Sequence, residues 1–89
     1  MEGATVKLVY FAWIRERIGT GEENVTLPVE VKTVADLFGW LKSRGEEYEA
    51  ALQYENTVRV AINKEHVDDR STSLAGATEI ALFPPMTGG

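Results

Sequence analysis

The sequence contains no cysteine and a single histidine, His66. The first absence removes disulfides, thiolate metal sites and cysteine nucleophiles, and the second removes any multi-histidine metal cage. No apolar run approaches the roughly 18 residues needed to span a bilayer, and the N-terminus lacks a basic stretch leading into an apolar signal segment. A cytoplasmic protein without membrane association is therefore expected. Positive charge is also scarce: 9 Lys and Arg stand against 14 Asp and Glu, a formal net charge of -5. Phosphate backbones are gripped by clusters of Lys and Arg, so nucleic acid is not an expected partner. An acidic chain is better suited to a basic patch on another protein. What is present suits one folded unit: 89 residues, 44% of them hydrophobic and 26% charged, are too few for two cores and too apolar for disorder.

Apolar residues mark out the elements. From Ala4 to Trp13, Val6, Leu8 and Tyr10 alternate with Lys7, Val9 and Phe11, the period of two that a strand imposes. Trp13 to Ile18 lose the alternation and suit a helical turn, before Gly19, Thr20 and Gly21 break the chain. Alternation returns with Val25, Leu27, Val29 and Val31, and Pro28 places this second strand at a sheet edge, since it has no N–H for a ladder. Thr33 and Asp36 resemble a capping box ahead of Val34, Leu37, Phe38 and Leu41, the spacing of an amphipathic helix. Gly39 is tolerable there if the helix backbone packs closely on the sheet, and Gly45 is placed to end the helix. A shorter helical piece is expected at Glu46 to Leu52. Thr57 to Asn63 alternates again, Asn63 to Glu65 form a turn into His66 and Val67, and Thr78 to Phe83 make a last strand closed by Pro84 and Pro85. This order predicts an α+β domain of the β-grasp type, a mixed sheet of about five strands with one main helix across one face.

The other face of that sheet would carry Val9, Phe11, Arg59, Ala61, Ala81 and Phe83 with no helix to cover them, which makes it a candidate partner surface. Beyond it the chain closes on Met86, Thr87, Gly88 and Gly89. Residues 1–85 are expected to form the domain and residues 86–89 a flexible tail. Terminal glycines often mean only a frayed end. They also lack side chains and reach backbone angles closed to other residues, so such a tail can thread a narrow channel into another protein's active site. The reactive group would then be the Gly89 carboxylate, with Pro84 and Pro85 stiffening the exit.

The chain resembles the small subunits of molybdopterin synthase, the MoaD-type sulfur carriers. The resemblance rests on Tyr10-Phe11-Ala12-Trp13-Ile14-Arg15-Glu16 with Gly19-Thr20, on Val60-Ala61-Ile62-Asn63, and on Ile80 to Gly89 with its Phe-Pro-Pro-x-Thr-Gly-Gly close. It runs along essentially the whole chain, and the tail is its specific part. Met86 stands where Val is common, and His66 where an apolar residue is frequent near the partner surface. The resemblance implies a ubiquitin-like carrier that binds no permanent cofactor and does no catalysis alone. Its Gly89 carboxylate would be adenylated at the expense of ATP by a partner of the ubiquitin-activating type. The thiocarboxylate formed from it would then donate sulfur, for the dithiolene of molybdopterin, in the pocket of the large subunit. It further implies a heterotetramer with that subunit, Met86 to Gly89 threading the partner's site and Phe11, Arg59, Ala61, His66, Phe83, Pro84 and Pro85 at the interface.

Three other readings stay open at this point: a thiamine-pathway sulfur carrier, a ubiquitin-like modifier joined through Gly89 to lysines, and an interaction domain with an incidental tail. The remaining polar residues have plainer roles. His66 lacks a base or nucleophile motif around it and reads as a rim residue. Asp68 and Asp69 form a solvated turn rather than a metal site, Trp13 and Trp40 pack at the core margin, and Glu46, Glu47, Glu49 and Glu55 make a soluble face.

Overall fold

The computed structural model describes residues 5–85; Met86, Thr87, Gly88 and Gly89 lie outside the described residues. Strand β1 (Thr5–Tyr10) leads into helix α1 (Ala12–Ile18), followed by β2 (Glu22–Thr26), α2 (Val34–Lys42), α3 (Glu46–Ala51), a 3-10 turn at Glu55–Thr57, β3 (Arg59–Ile62), β4 (Glu65–Val67) and β5 (Glu79–Phe83). The five strands form one mixed sheet in the order β2-β1-β5-β3-β4. Only β1 and β5 run parallel, with Leu8 opposite Ile80 and Tyr10 opposite Leu82; the other neighbours are antiparallel.

Side-chain chemistry explains which face is closed. Val6, Leu8 and Tyr10 of β1, Val60 of β3, and Ile80 and Leu82 of β5 all point to one side and are buried with Ile14 and Ile18 of α1, Leu37, Phe38 and Leu41 of α2, and Ala51 of α3. Helix α2 starts where the Thr33 hydroxyl accepts from the Asp36 N–H at 3.2 Å while the Asp36 carboxylate accepts from the Thr33 N–H at 3.2 Å, each satisfying a donor the helix cannot. Trp13 and Trp40 are half-buried against the core margin. The β3–β4 connection is the two-residue loop Asn63-Lys64, with φ of 51° and 71°, the positive pair that matches strand twist in a tight hairpin. No described helix is long and apolar enough to cross a membrane.

Several boundaries differ from the sequence reading. Strand β2 begins earlier, at Glu22, and ends at Thr26, so Pro28 lies past the strand in a turn closed by the Val31 N–H on the Pro28 carbonyl. The strand is nonetheless at the sheet edge, while Val29 is not inward but 54% exposed. Strand β1 stops at Tyr10 and Phe11 takes the N-cap position of α1. Helix α2 ends at Lys42 with Ser43 as its C-cap, and Gly45 instead precedes α3. Gly39 does not approach the sheet: it is exposed, and a Cβ there would meet nothing within 4 Å.

Candidate partner surface and tail exit

The sheet face away from the helices is open and regular. Register sets Val9 beside Ala81, Ala81 beside Ala61, and Ala61 beside His66, a row that crosses β1, β5, β3 and β4. Two alanines at its centre keep the row shallow. One step toward the C-terminal end of β5, Phe83 pairs with Arg59, and the Phe11 N–H donates to the Leu82 carbonyl at 3.1 Å, which continues β1 alongside β5. Phe11 is 48% exposed. The His66 ring lies against Phe83 with centroids 5.9 Å apart, and its Nε2 stands 3.5 Å from Asp68. The structure thus brings Phe11, Arg59, Ala61, His66 and Phe83 together on one surface. Pro84 and Pro85 follow at its upper edge, half-buried.

Strand order places the chain exit. Because β5 is the middle strand, the backbone leaves the sheet at its centre, flanked by α1 through Phe11 and by β3 through Arg59. Successive prolines cannot extend the ladder and hold a restricted φ, so residues 84–85 carry the chain away from the hydrogen-bonded strands. Among the described residues no group of three or more His, Asp or Glu is arranged to hold a metal ion. The Asp69 carboxylate accepts from the Ser71 N–H and hydroxyl at 2.8 and 2.7 Å. Those bonds hold its pKa below the usual carboxylate range, as expected of a turn.

Two groupings escaped the sequence reading. Glu23, inward on β2, accepts from the hydroxyls of Tyr10 and Tyr48 and from Arg44. The signal was available, since Glu23 is two residues before Val25 and shares its side of the strand. The other is an aromatic groove of about 610 Å³ beside the exit, lined by Trp13, Arg17, Tyr54, Thr57, Pro84 and Pro85. Its residues come from three distant segments, which no local pattern connects.

Comparison with known proteins agrees with this architecture. The molybdopterin synthase sulfur carrier subunit of Escherichia coli (strain K12) is 30% identical over 84 residues, covering 94% of this chain and 99% of that protein. A solved structure from Pyrococcus furiosus, assigned as molybdopterin converting factor, subunit 1, superposes with a TM-score of 0.70 at 26% identity, covering 94% of this chain and all of that one. The small archaeal modifier protein 1 of Haloferax volcanii shares the fold, with a TM-score of 0.68 at 24% identity over 94% of this chain and 100% of its own. These are ubiquitin-like β-grasp proteins, the fold expected from the order of elements. The ThiS family model matches residues 8–89; the chain belongs to the ThiS family, and its homologues are sulfur carrier subunits of molybdopterin synthase.

Proposed function

We propose that the protein is the small, sulfur-carrying subunit of a molybdopterin synthase and that Gly89 is its reactive residue. One observation carries the reading: the central strand β5 leaves the sheet through Phe83, Pro84 and Pro85, at the edge of an open face bearing Phe11, Arg59, Ala61 and His66. A large subunit seated on that face would receive Met86, Thr87, Gly88 and Gly89 directly in its pocket. The carrier supplies the tail and the docking surface, and the partner supplies the acid, base and binding groups.

The chemistry requires activation first. A carboxylate repels nucleophiles and has no good leaving group, whereas the acyl-adenylate made from ATP, with pyrophosphate released, cures both faults. A persulfide sulfur attacks the carbonyl carbon and expels AMP; a second thiol then cleaves the S–S bond and frees the thiocarboxylate. That anion is a soft nucleophile: its sulfur bonds to the pterin precursor as an acyl thioester. Water then hydrolyses the acyl C–S bond, so that the sulfur stays on the pterin and the carrier returns as a carboxylate, and a second loaded carrier supplies the other dithiolene sulfur. An adenylating enzyme of the ubiquitin-activating type, a heterotetramer with the large subunit and a cytoplasmic setting complete the reading.

The test is intact mass after incubation with a molybdopterin-type adenylating enzyme, ATP and a sulfur source. Replacement of one oxygen by sulfur in the wild type, and its absence in a chain lacking Gly89 that still folds, is the expected result. An unchanged wild-type mass beside a loaded control carrier would sink the proposal, and lysine-linked adducts in place of a thiocarboxylate would make the protein a modifier.

A further inference from the structure

The groove beside the tail exit has the composition of a binding subsite; it adjoins the open sheet face at Pro84 and Pro85 and takes its other residues from α1 and the 3-10 turn. Tyr54 lines it and is 62% exposed, and its carbonyl accepts both the N–H and the hydroxyl of Thr57 at 2.8 Å. The exposed ring is therefore mounted on a fixed turn. Trp13 and, one helical turn further, Arg17 line it from α1, and Pro84 and Pro85 line it from the end of β5. Tyr, Trp and Arg are the residue types that dominate the energetics of protein interfaces.

Two further observations say what covers it. The chain beyond Pro85 has four residues, which span at most about 14 Å when fully extended. A protein that acts on the Gly89 carboxylate must therefore press against the exit. The second is charge. Lys7, Lys42, Arg44 and Arg70 are ion-paired with glutamates, whereas Arg15, Arg17, Lys32, Arg59 and Lys64 make no ion pair among the described residues; of these, Arg17 lines the groove and Arg59 pairs with Phe83, on opposite sides of the exit. A chain of net charge -5 has to deliver an anionic tail to the polyanion ATP, an approach opposed by like-charge repulsion. A local cationic collar meeting an acidic rim offsets that repulsion where it matters.

Resting on the carrier reading above, we propose that this groove docks the rim of the adenylating enzyme's tail channel. The docked segment would carry an apolar side chain, set between Trp13 and Tyr54, next to a carboxylate that pairs with Arg17. The test is the KM of the adenylating enzyme for the carrier, followed by thiocarboxylate loading, with Arg17→Glu and Tyr54→Ala. Both side chains are exposed, and thermal melting verifies the fold. Each variant is expected to raise KM about tenfold or more, and added salt is expected to narrow the gap between Arg17→Glu and wild type as repulsion is screened. Lys64→Glu makes the same change in net charge at the hairpin tip on the opposite end of the sheet and is expected to leave KM unchanged. Wild-type KM in both groove variants, or an equal rise in Lys64→Glu, overturns the groove assignment while leaving the carrier reading intact. Failure of the wild type to load overturns the carrier reading itself.

Discussion

The Tyr10 hydroxyl donates a 2.6 Å hydrogen bond to the Glu23 carboxylate, joining the inner strand β1 to the edge strand β2 on the core side of the sheet. The same carboxylate oxygen accepts from the Tyr48 hydroxyl at 2.8 Å and from the Arg44 guanidinium at 3.0 Å, and Arg44 in turn lies over the Trp40 and Tyr48 rings. One acid therefore ties the edge strand to the end of α2 and to α3. An edge strand is held by a neighbour on one side only, and this cluster gives β2 a second attachment. Burial pushes the Tyr10 hydroxyl pKa strongly upward, and the Glu23 charge adds to it, so the phenol stays a donor throughout the working range.

Acid should loosen that attachment. Burial by itself would raise the Glu23 pKa, but the hydrogen bonds from Tyr10, Arg44 and Tyr48 outweigh it and hold the group below its ordinary value. A folded-state pKa depressed below the unfolded one contributes stability that is whole above about pH 4.3, the unfolded glutamate value, and is lost as pH falls through the folded pKa. Glu23→Gln is expected to cost about 1 to 2 kcal/mol near neutrality, the worth of hydrogen bonds to a charged acceptor. Urea unfolding of both proteins at about pH 7 and about pH 3 checks this. The difference should shrink in acid, and a constant difference would mean that the carboxylate charge contributes nothing.

Gly39 offers a stabilising change. It sits within the regular helix α2, exposed, with open space where a Cβ would stand. Glycine inside a helix is about 0.8 to 1 kcal/mol less favourable than alanine because its unfolded backbone has more freedom to lose. Gly39→Ala is expected to raise stability by about 0.5 to 1 kcal/mol, a few degrees in melting temperature for a domain of this size. Loss of stability would show that the backbone at 39 touches something the fold does not reveal.

How much of this could be read from the chain depended on whether a feature was local. Val6, Leu8 and Tyr10, or Ile80 and Leu82, announce strands because burial on one face demands every second residue. The same parity put Ala61, Ala81 and Phe83 on the open side. The start of β2 was hidden because Glu22, Glu23 and Asn24 are polar: two face the open side and the third is satisfied by Tyr10, Tyr48 and Arg44. Val29 and Val31 kept the alternation going past the point where the hydrogen bonds had stopped, since periodicity reports side-chain chemistry and not pairing. The exit groove needed α1, the 3-10 turn and residues 84–85 to be brought together, a fact of tertiary structure.

Asn63 anchors the loop before β5. With φ at 51° it occupies the left-handed region that asparagine tolerates better than most residues. Its Oδ1 accepts from the Thr78 N–H, the Thr78 hydroxyl and the Glu79 N–H at 2.8 to 3.1 Å, while Nδ2 donates to the Gly76 carbonyl at 3.2 Å. Asn63→Ala removes these bonds and keeps the strained φ, for an expected cost of about 2 kcal/mol. Asn63→Gly should cost less, because it relieves the backbone while losing the same bonds. Equal denaturation midpoints for the two variants would place the whole effect in the side chain.

Phe83 offers a test that separates folding from the proposed docking. Its neighbours Ile80 and Leu82 are fully buried, but Phe83 points to the open face, where it touches His66 and pairs with Arg59. Truncating a side chain that packs on the core costs both folding and binding, whereas one waiting for a partner costs mainly binding. Phe83→Ala is therefore expected to weaken the complex with the large subunit by about 2 kcal/mol or more, roughly thirtyfold in Kd. Its effect on folding stability should stay near 1 kcal/mol, the middle of the range for point substitutions. Calorimetric titration of the complex and urea unfolding of the free protein give the two numbers independently. Unchanged affinity would place the interface away from the row that runs from Val9 through Ala81 and Ala61 to His66.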